Sequence, residues 1–454
     1  MVYYTWKSYK LKTGPFEFFS ALRDQKNCFF LDSSLNSDGA LGRYSFLGKD
    51  PFSVFQSKGI DPLPKLRALL DGYKITSSCG LPFLGGAVGY LSYDLGFALE
   101  KKLRRKNRDD VKIPDCCFAF YNSAFVFDHL RKVLHLVAVG FPEKKLHLAK
   151  ILAESNLKEM QKLVSQVEAK GGNNQKRLKA KTGVTLRSNF TKIQYLRAIR
   201  KAKDYIRSGD IYQLNLSQRF KARTSLSPFE IYERLRKLSP SYFGAYFDAG
   251  AFQILSSSPE RFLKLKGDIV FTRPMKGTRP RAEDRAKDAL LEKELLKSQK
   301  DKAELMMIVD LERNDLGRVC NYDSVKVESL REIEKYSTVF QTTASIFGRL
   351  YPHKDRVDLL RAAFPGGSIT GCPKIRAMEI IEELEPHRRS IYTGALGYLS
   401  FHGDMDLNIL IRTILKKGDE LYFGSGGGIV ADSQPQEEYR ETLVKAKAMI
   451  EALK

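Results

Sequence analysis

Leu407-Asn-Ile-Leu-Ile-Arg-Thr-Ile-Leu415, followed by Lys416-Lys-Gly-Asp-Glu420 and Leu421-Tyr-Phe423, is apolar on both faces apart from a few polar positions and then breaks at a turn-forming pentapeptide. A run of that kind reads as a buried hairpin of a sheet covered on both sides. Arg412 inside it must meet an anion, and its planar fork suits a ligand carboxylate as well as a structural aspartate or glutamate. The hairpin runs into Gly424-Ser-Gly-Gly-Gly428, whose backbone N–H groups can approach an anion closely or simply make a tight turn. The stretch has neither the Gly-Lys-Ser/Thr of a P-loop nor G-x-G-x-x-G spacing, so a nucleotide site is not expected.

Two segments around this hairpin carry carboxylates at helical spacing. Asp301-Lys-Ala-Glu-Leu-Met-Met-Ile-Val-Asp-Leu-Glu-Arg-Asn-Asp315 reads as a helix that projects Asp301 and Glu304 together while Leu305, Ile308 and Val309 pack inward. In Glu437-Glu-Tyr-Arg-Glu-Thr-Leu-Val-Lys445, Glu438, Glu441 and Lys445 share a face, with Leu443, Val444 and Ile450 supplying apolar contacts elsewhere on the helix. Two such helices can grip one hard cation, since Mg2+ prefers oxygen ligands; the plainer alternative is a pair of solvated faces. Phe271-Thr-Arg-Pro-Met-Lys-Gly-Thr278 places Lys276 between a strand-like segment and a Gly-Thr turn, a position from which a lysine can do chemistry.

Composition bounds the rest. With 454 residues, 43% apolar and 28% charged, the chain has ordinary globular values and is expected to form one large unit with two interlocked parts. No apolar run approaches the roughly 20 residues needed to cross a bilayer. The stretch Met1-Val-Tyr-Tyr-Thr-Trp-Lys-Ser8 lacks the features of an export signal, so a cytoplasmic protein without a membrane role is expected. Cys28, Cys79, Cys116, Cys117, Cys320 and Cys372 show no C-x-x-C spacing, which points to reduced, mostly structural thiols. The six histidines form no i, i+4 pair, so any metal is expected on carboxylates. The net charge of +23 is spread through segments of mixed sign such as 285–302 and is not interleaved with aromatics in a nucleic-acid motif; nucleic acid is not an expected partner.

Along the chain, the clearest break is the polar, basic stretch 170–184, read as an exposed linker between an N-terminal region, 1–169, and a catalytic region, 185–454. Before it, Ser123 to Asp128 and Val133 to Val139 read as strands and Glu143 to Val167 as a helix. After it, Ile193 to Ser208 reads as a helix, and Gln213 to Phe220, Phe252 to Ser256 and Ile269 to Thr272 read as strands.

Taken in order, Gly209-Asp-Ile-Tyr-Gln-Leu-Asn-Leu-Ser-Gln-Arg-Phe220, Ser258-Pro-Glu-Arg-Phe262, Arg273 to Arg281, Ala303 to Val319, Phe364-Pro-Gly-Gly-Ser-Ile-Thr-Gly-Cys-Pro-Lys-Ile-Arg-Ala377, Ile411-Arg-Thr413 and Gly426 to Thr442 resemble the chorismate-utilising enzymes. That family includes anthranilate synthase component I, isochorismate and salicylate synthases, and aminodeoxychorismate synthase component I. A weaker resemblance covers the first region through Phe30-Leu-Asp-Ser-Ser34, Gly42-Arg-Tyr-Ser-Phe-Leu-Gly48 and Gly85-Gly-Ala-Val-Gly-Tyr90. The resemblance implies an α+β fold, a four-layer sandwich with two large, mainly antiparallel sheets, and a site for chorismate and Mg2+. By position, Glu304 and Glu441 are implied to bind Mg2+, with Glu438 and Asp301 assisting through water. Arg412, Tyr392, Lys445 and the N–H groups of Gly426, Gly427 and Gly428 are implied to hold the pyruvyl carboxylate and side chain, and Ser368 to line the same pocket. Glu260 is implied to be the general acid or base at the departing C4 hydroxyl.

Within the family, aminodeoxychorismate synthases have lysine where the other branches usually have alanine, and this chain has Lys276. A partly desolvated lysine can attack the ring at C2 as the C4 hydroxyl leaves, or can orient the leaving group or ammonia. Gln213, in the substrate pocket, stands where members that add water at C2 carry a lysine, and glutamine is no base. Gln341 replaces a histidine that anthranilate synthases link to pyruvate elimination. The expected reaction is therefore amination of chorismate at C4 to 4-amino-4-deoxychorismate, the alternative being anthranilate synthesis. The chain shows no glutamine amidotransferase signature, so ammonia is expected from a separate glutaminase subunit. The Phe30 to Ser34 segment resembles the family's tryptophan pocket, without showing whether tryptophan binds.

Overall fold

The structure is a computed structural model that describes residues 2–35, 41–76, 79–169, 184–336 and 339–454. In it the stretch from Leu407 to Leu415 does not stay in one sheet. Met405–Ile409 is a strand of one sheet and Thr413–Lys417 a strand of another, and the chain passes between them at 410–412, with Arg412 at φ +50°. Both strands are buried on both faces, so the apolar run continues through the crossover and nothing in its pattern marks the change of sheet. The hairpin itself is present, Thr413–Lys417 pairing antiparallel with Glu420–Ile429. The glycine run is part of that second strand rather than a turn beyond it.

Every strand pair is antiparallel within the two sheets. The first runs from edge to edge through Tyr4–Lys10, Val133–Val139, Ser123–Asp128, Tyr44–Gly48, Phe29–Asp32, Phe243–Asp248, Gln253–Ser258, Thr413–Lys417, Glu420–Ile429, Gln213–Arg223 and Gly371–Cys372. The second runs through Met275–Pro280, Val339–Arg349, Ile269–Arg273, Arg261–Lys266, Met405–Ile409, Ala395–Ser400, Gly86–Leu91, Cys116–Tyr121 and Ser53–Ser57. Each sheet takes strands from both sides of the stretch 170–184: Phe29–Asp32 pairs with Phe243–Asp248, and Gly86–Leu91 with Ala395–Ser400. Strands from the two regions are thus interleaved in both sheets. The proposed linker itself lies outside the described residues apart from Val184.

Side-chain alternation builds the layers. Phe29, Ala124 and Val126 point into a core made of the two sheets' facing sides, whereas Phe30, Phe125 and Phe127 point outward into a core shared with helices. Helices Leu146–Ala169, Pro228–Leu238 and Pro435–Ala452 contribute to that outer core with Met160, Ile231 and Met449. Helices Leu63–Asp71, Lys192–Arg207, Gln299–Gly317, Arg356–Ala363 and Lys374–Leu384 contribute to a third core that covers the second sheet. The order helix, sheet, sheet, helix is the expected sandwich. Leu305, Ile308 and Val309 face inward as read, but Leu443 and Val444 are exposed; Thr442, Ala446, Met449 and Ala452 seat the last helix instead. All six cysteines are free.

Candidate active site

Lys276 lies inside the edge strand Met275–Pro280, not between a strand and a turn as its sequence context suggested. The register with Val339–Arg349 shifts between Lys276 and Thr278, and Gly277 there has φ +75°. A bulge of this kind re-aims a side chain. A Cβ on Gly277 would also lie 3.1 Å from Asp301, so this backbone passes directly against the carboxylate helix. Thr342 hydrogen-bonds the Lys276 carbonyl from the neighbouring strand and fixes the bulge.

The lysine leads to a buried acid. Lys276 Nζ donates to the Ser368 carbonyl at 3.1 Å, and Ser368 Oγ donates to Glu260 Oε1 at 2.6 Å. Glu260 sits just after Gln253–Ser258, held by Ser258 Oγ to its N–H at 3.3 Å and by its carbonyl to Ile409 N–H at 3.0 Å. Burial pushes the Glu260 carboxyl up to about 7, against the pull of Ser368, Lys276, the Met275 N–H and Lys445. The same removal from water pulls the Lys276 ammonium down, with Glu304 and Glu260 opposing and Lys445 adding to the fall. Gln213 is fully buried next to this lysine: a Cβ on Gly428 would lie 2.7 Å from Gln213 Nε2 and 3.5 Å from Lys276 Nζ. Neither amide atom of Gln213 has a hydrogen-bond partner among the described residues, so both are left for a ligand.

The carboxylates form a second group. Glu438 Oε2 and Glu441 Oε1 would lie 3.3 and 3.6 Å from a Cβ on Gly427, so the glycine leaves both acids room at the strand. Glu438 is buried and accepts Ser433 Oγ at 2.6 Å; burial raises its proton affinity, and Glu441 adds to the rise. Burial works to raise Glu441 too, but Lys445 at 2.6 Å wins and holds it below the usual range. Glu304 is raised by burial and by Asp301 and Glu441, which oppose the influence of Lys276. Asp301 is paired with Arg279 at 3.2 Å. No three acidic, histidine or thiol groups among the described residues are placed to hold an ion as they stand. The donor set still fits a hard cation: all donors are oxygens, and a cation would offset both the burial that chiefly raises Glu304 and Glu438 and the lesser repulsion from Glu441.

The third group would handle an anion. Glu420–Ile429 is paired with Gln213–Arg223 over its length, but with Thr413–Lys417 only at Glu420–Tyr422. Its glycine-rich end thus has a sheet edge open, among the described residues, on one side, and Lys445 Nζ reaches it at the Gly426 carbonyl, 3.2 Å away. A Cβ on Gly424 would lie 2.3 Å from the Tyr392 ring, so glycine lets that ring lie flat against the strand. Arg389 packs against Tyr392 at 6.0 Å, donates to the carbonyls of Asn215 and Ile369, and is held by Glu385 at 2.7 Å. The Arg412 guanidinium has no hydrogen bond or ion pair among the described residues; burial lowers its affinity for a proton, and only Tyr336 opposes this. Of the two alternatives read for this arginine, the structural carboxylate is not among the described residues. The Arg412 carbonyl accepts from Ser257 N–H, and Tyr336 Oη donates to Pro259, which places Arg412 against the segment that carries Glu260.

Glu312 escaped the sequence reading. It is buried and accepts from Thr272 Oγ1, 2.9 Å away. Its signal was present: it continues the apolar stripe of Leu305, Ile308 and Leu316 at helical spacing, where a glutamate is out of place. The Phe30 to Ser34 segment belongs elsewhere. Leu31, Asp32 and Ser33 line a cavity of about 1150 Å3 between the sheets, with Tyr242, Arg261 and Asn408, and none of the catalytic candidates lines it.

Residues 36–451 match the family model of chorismate binding enzymes, and the chain belongs to that family. It is 38% identical to anthranilate synthase component 1 of Acetivibrio thermocellus, over 97% of this chain and 92% of that one. It is equally, 38%, identical to aminodeoxychorismate synthase component 1 of Bacillus subtilis, over 91% of this chain and 89% of that one. Among solved structures, anthranilate synthase component I from Streptococcus pneumoniae superposes with a TM-score of 0.80 at 32% identity, covering 96% of this chain and 97% of that one. The two-sheet fold is thus the anthranilate synthase I-like fold. No helix among the described residues is long and apolar enough to cross a membrane.

Proposed function

We propose that this chain aminates chorismate at C4, giving 4-amino-4-deoxychorismate, with ammonia delivered by a separate glutaminase subunit. The observation that carries the reading is Lys276, a lysine with lowered proton affinity whose amine stands beside the unpartnered amide of Gln213 and one residue from the acid Glu260. In the covalent version, neutral Lys276 adds to ring C2, the C4–O bond breaks, and Glu260 gives its proton to the departing hydroxyl, which leaves as water. The new C2 ammonium returns a proton to Glu260. Ammonia then adds at C4 while the C2–N bond breaks and Glu260 returns its proton to the leaving amine; the new C4 ammonium gives a proton back to Glu260, lysine is restored, and ammonia and chorismate have become product and water. In the alternative version Lys276 only orients the hydroxyl or the ammonia. Arg412 and the open edge at Gly426 to Gly428, with Tyr392 and Lys445, would hold the pyruvyl carboxylate, and Ser368 would fix Glu260. Glu304, Glu438 and Glu441 would hold Mg2+, which when bound would neutralise the ring carboxylate.

Anthranilate synthesis is the second reading, favoured by relatives of that name at the same identity. Purified chain incubated with chorismate, Mg2+ and an ammonium salt separates the two by mass spectrometry of the product and by anthranilate fluorescence. The expected product is non-aromatic and retains the pyruvyl group; anthranilate plus free pyruvate overturns the proposal. K276A with unchanged product and rate would exclude both roles of the lysine.

A further inference from the structure

Behind the loop that carries Ser368 lies a cavity of about 720 Å3 that the steps above do not use. Of its lining residues, Phe364 and Pro365 are buried, Met307 and Leu311 half-buried, and Asn314 and Tyr212 exposed, so it runs from the surface inward. Three segments of chain each carry a site residue and a cavity residue. Glu304, Met307, Leu311 and Asn314 follow one another at i, i+3, i+7 and i+10 down one face of Gln299–Gly317. Tyr212 immediately precedes Gln213, and its N–H donates to Cys372, the residue that pairs with Gln213 across the sheet. Phe364 and Pro365 lead into Gly366-Gly-Ser368, and that serine touches both Lys276 and Glu260.

A single layer of side chains separates the cavity from this loop. A Cβ on Gly367 would lie 2.7 Å from Leu311 Cδ2, so the leucine rests directly on the glycine backbone, and the Phe364 ring meets Phe262 with centroids 6.0 Å apart. The cations in the cavity wall do not call for an anion: Lys374 and Arg318 are paired with Asp315, and Arg361 with Asp61. An outer part with oxygen acceptors at Asn314 and Asp310, and an inner part of hydrocarbon, fits a small N–H donor that can enter without charge. The opposite end of the site is the one open to solvent, the Glu441 and Lys445 side chains being 48% and 39% exposed. Chorismate seated with its ring carboxylate at that end closes it. C4 then faces Glu260 on the buried side, and ammonia has to reach it from beyond Glu260 and Ser368.

We propose that this cavity is the entrance for ammonia, and that Leu311 lying on Gly367 is the gate through which it passes to chorismate. The inference rests on the proposed amination at C4. Ammonium would have to leave water to cross the leucine, whereas ammonia crosses as a neutral molecule. Leu311 touches neither substrate nor the reacting atoms; its part is to decide what comes through.

The test is amination by the purified chain with saturating chorismate and Mg2+, an ammonium salt being the only nitrogen source and its concentration being varied at fixed pH and ionic strength. Leu311→Trp fills the gate and is expected to lower kcat/KM for ammonia at least about tenfold, with kcat approached again at high ammonium and KM for chorismate unchanged. Asn314→Trp blocks the outer part from an exposed position of the same helix and is expected to act in the same direction, which keeps the test decisive if L311W does not fold. Unchanged kcat/KM for ammonia in the tryptophan variants overturns the proposal. So does a loss shared equally by ammonia and chorismate, which is what a distorted site gives. Mass spectrometry of the wild-type product separates the two levels of the argument: no nitrogen at C4 overturns the proposed function and the entrance with it, whereas nitrogen at C4 with unaltered ammonia kinetics in the variants overturns the entrance alone.

Discussion

Replacing Glu260 by glutamine should make the protein more stable at neutral pH while disabling it. In the unfolded chain this carboxyl ionises near 4.5, and in the folded site at about 7. Between those values the folded state holds a proton that the unfolded state has released, so stability falls as pH rises through the window and the loss is complete above 7. A rise from 4.5 to about 7 corresponds to roughly 3 kcal/mol. Glu260 is only 4% exposed, so solvent screening removes little of it. Glutamine keeps the shape and can accept the Ser368 hydroxyl, yet has no charge to bury. The stability difference between E260Q and wild type, from urea denaturation, should be near zero at pH 4 and reach about 3 kcal/mol in favour of the variant at pH 8. Turnover should fall at least about a hundredfold. An offset of equal size at both pH values, or a variant less stable than wild type at pH 8, would refute the assignment of Glu260 as a carboxyl kept neutral by burial.

Three further outcomes follow from the same site. Arg412→Gln should raise KM for chorismate by about 10- to 100-fold, the worth of a charged hydrogen bond, while raising stability, because burial disfavours a guanidinium charge that has no described protein partner; steady-state kinetics and a melt decide it. Glu385→Ala should cost about 3–5 kcal/mol of stability, since it strips a buried arginine of its counter-charge and Ser217 of its acceptor, and Glu385→Gln should cost less. Mg2+ should raise the Tm of the wild type, by up to about 3 kcal/mol of stabilisation at a hundredfold excess over Kd, and should do so much less in Glu441→Ala; an equal Tm rise in both would remove Glu441 from the metal set.

What could be read in the sequence depended on whether a signal was local. The helix at Gln299–Gly317 announces itself through periodicity, because it buries one continuous face, and the strand at Gln213–Arg223 through the alternation of its apolar residues Leu214, Leu216, Phe220 and Ala222. The crossover at 410–412 does not, because residues on either side of it are equally buried and apolarity has no term for which sheet a strand joins. Lys276 could be picked out as a residue of interest, but its bulge depends on register with Val339–Arg349, which only the folded sheet defines. The carboxylates on the two helices were legible as faces, and the pairing of Glu441 with Lys445 one turn later is local; how near Glu304 comes to them depends on the packing of two helices distant in sequence. Glu312 was in plain view as a misplaced charge and needed Thr272, forty positions earlier in the chain, to give it meaning.

The interleaving of the two sheets has a consequence for how the chain reaches this state. Phe29–Asp32 waits for Phe243–Asp248, and Gly86–Leu91 for Ala395–Ser400, before either has its second neighbour. Pairings so distant in sequence are slow to form, because loop-closure entropy is lost before the contacts return it. During synthesis the early strands therefore emerge with bare edges long before their partners exist, and such edges invite association with other chains. The architecture that brings Arg412, Glu260 and the glycine strand together late makes the nascent protein a natural client for chaperones, and makes refolding from denaturant more sensitive to protein concentration than the stability of the finished fold suggests.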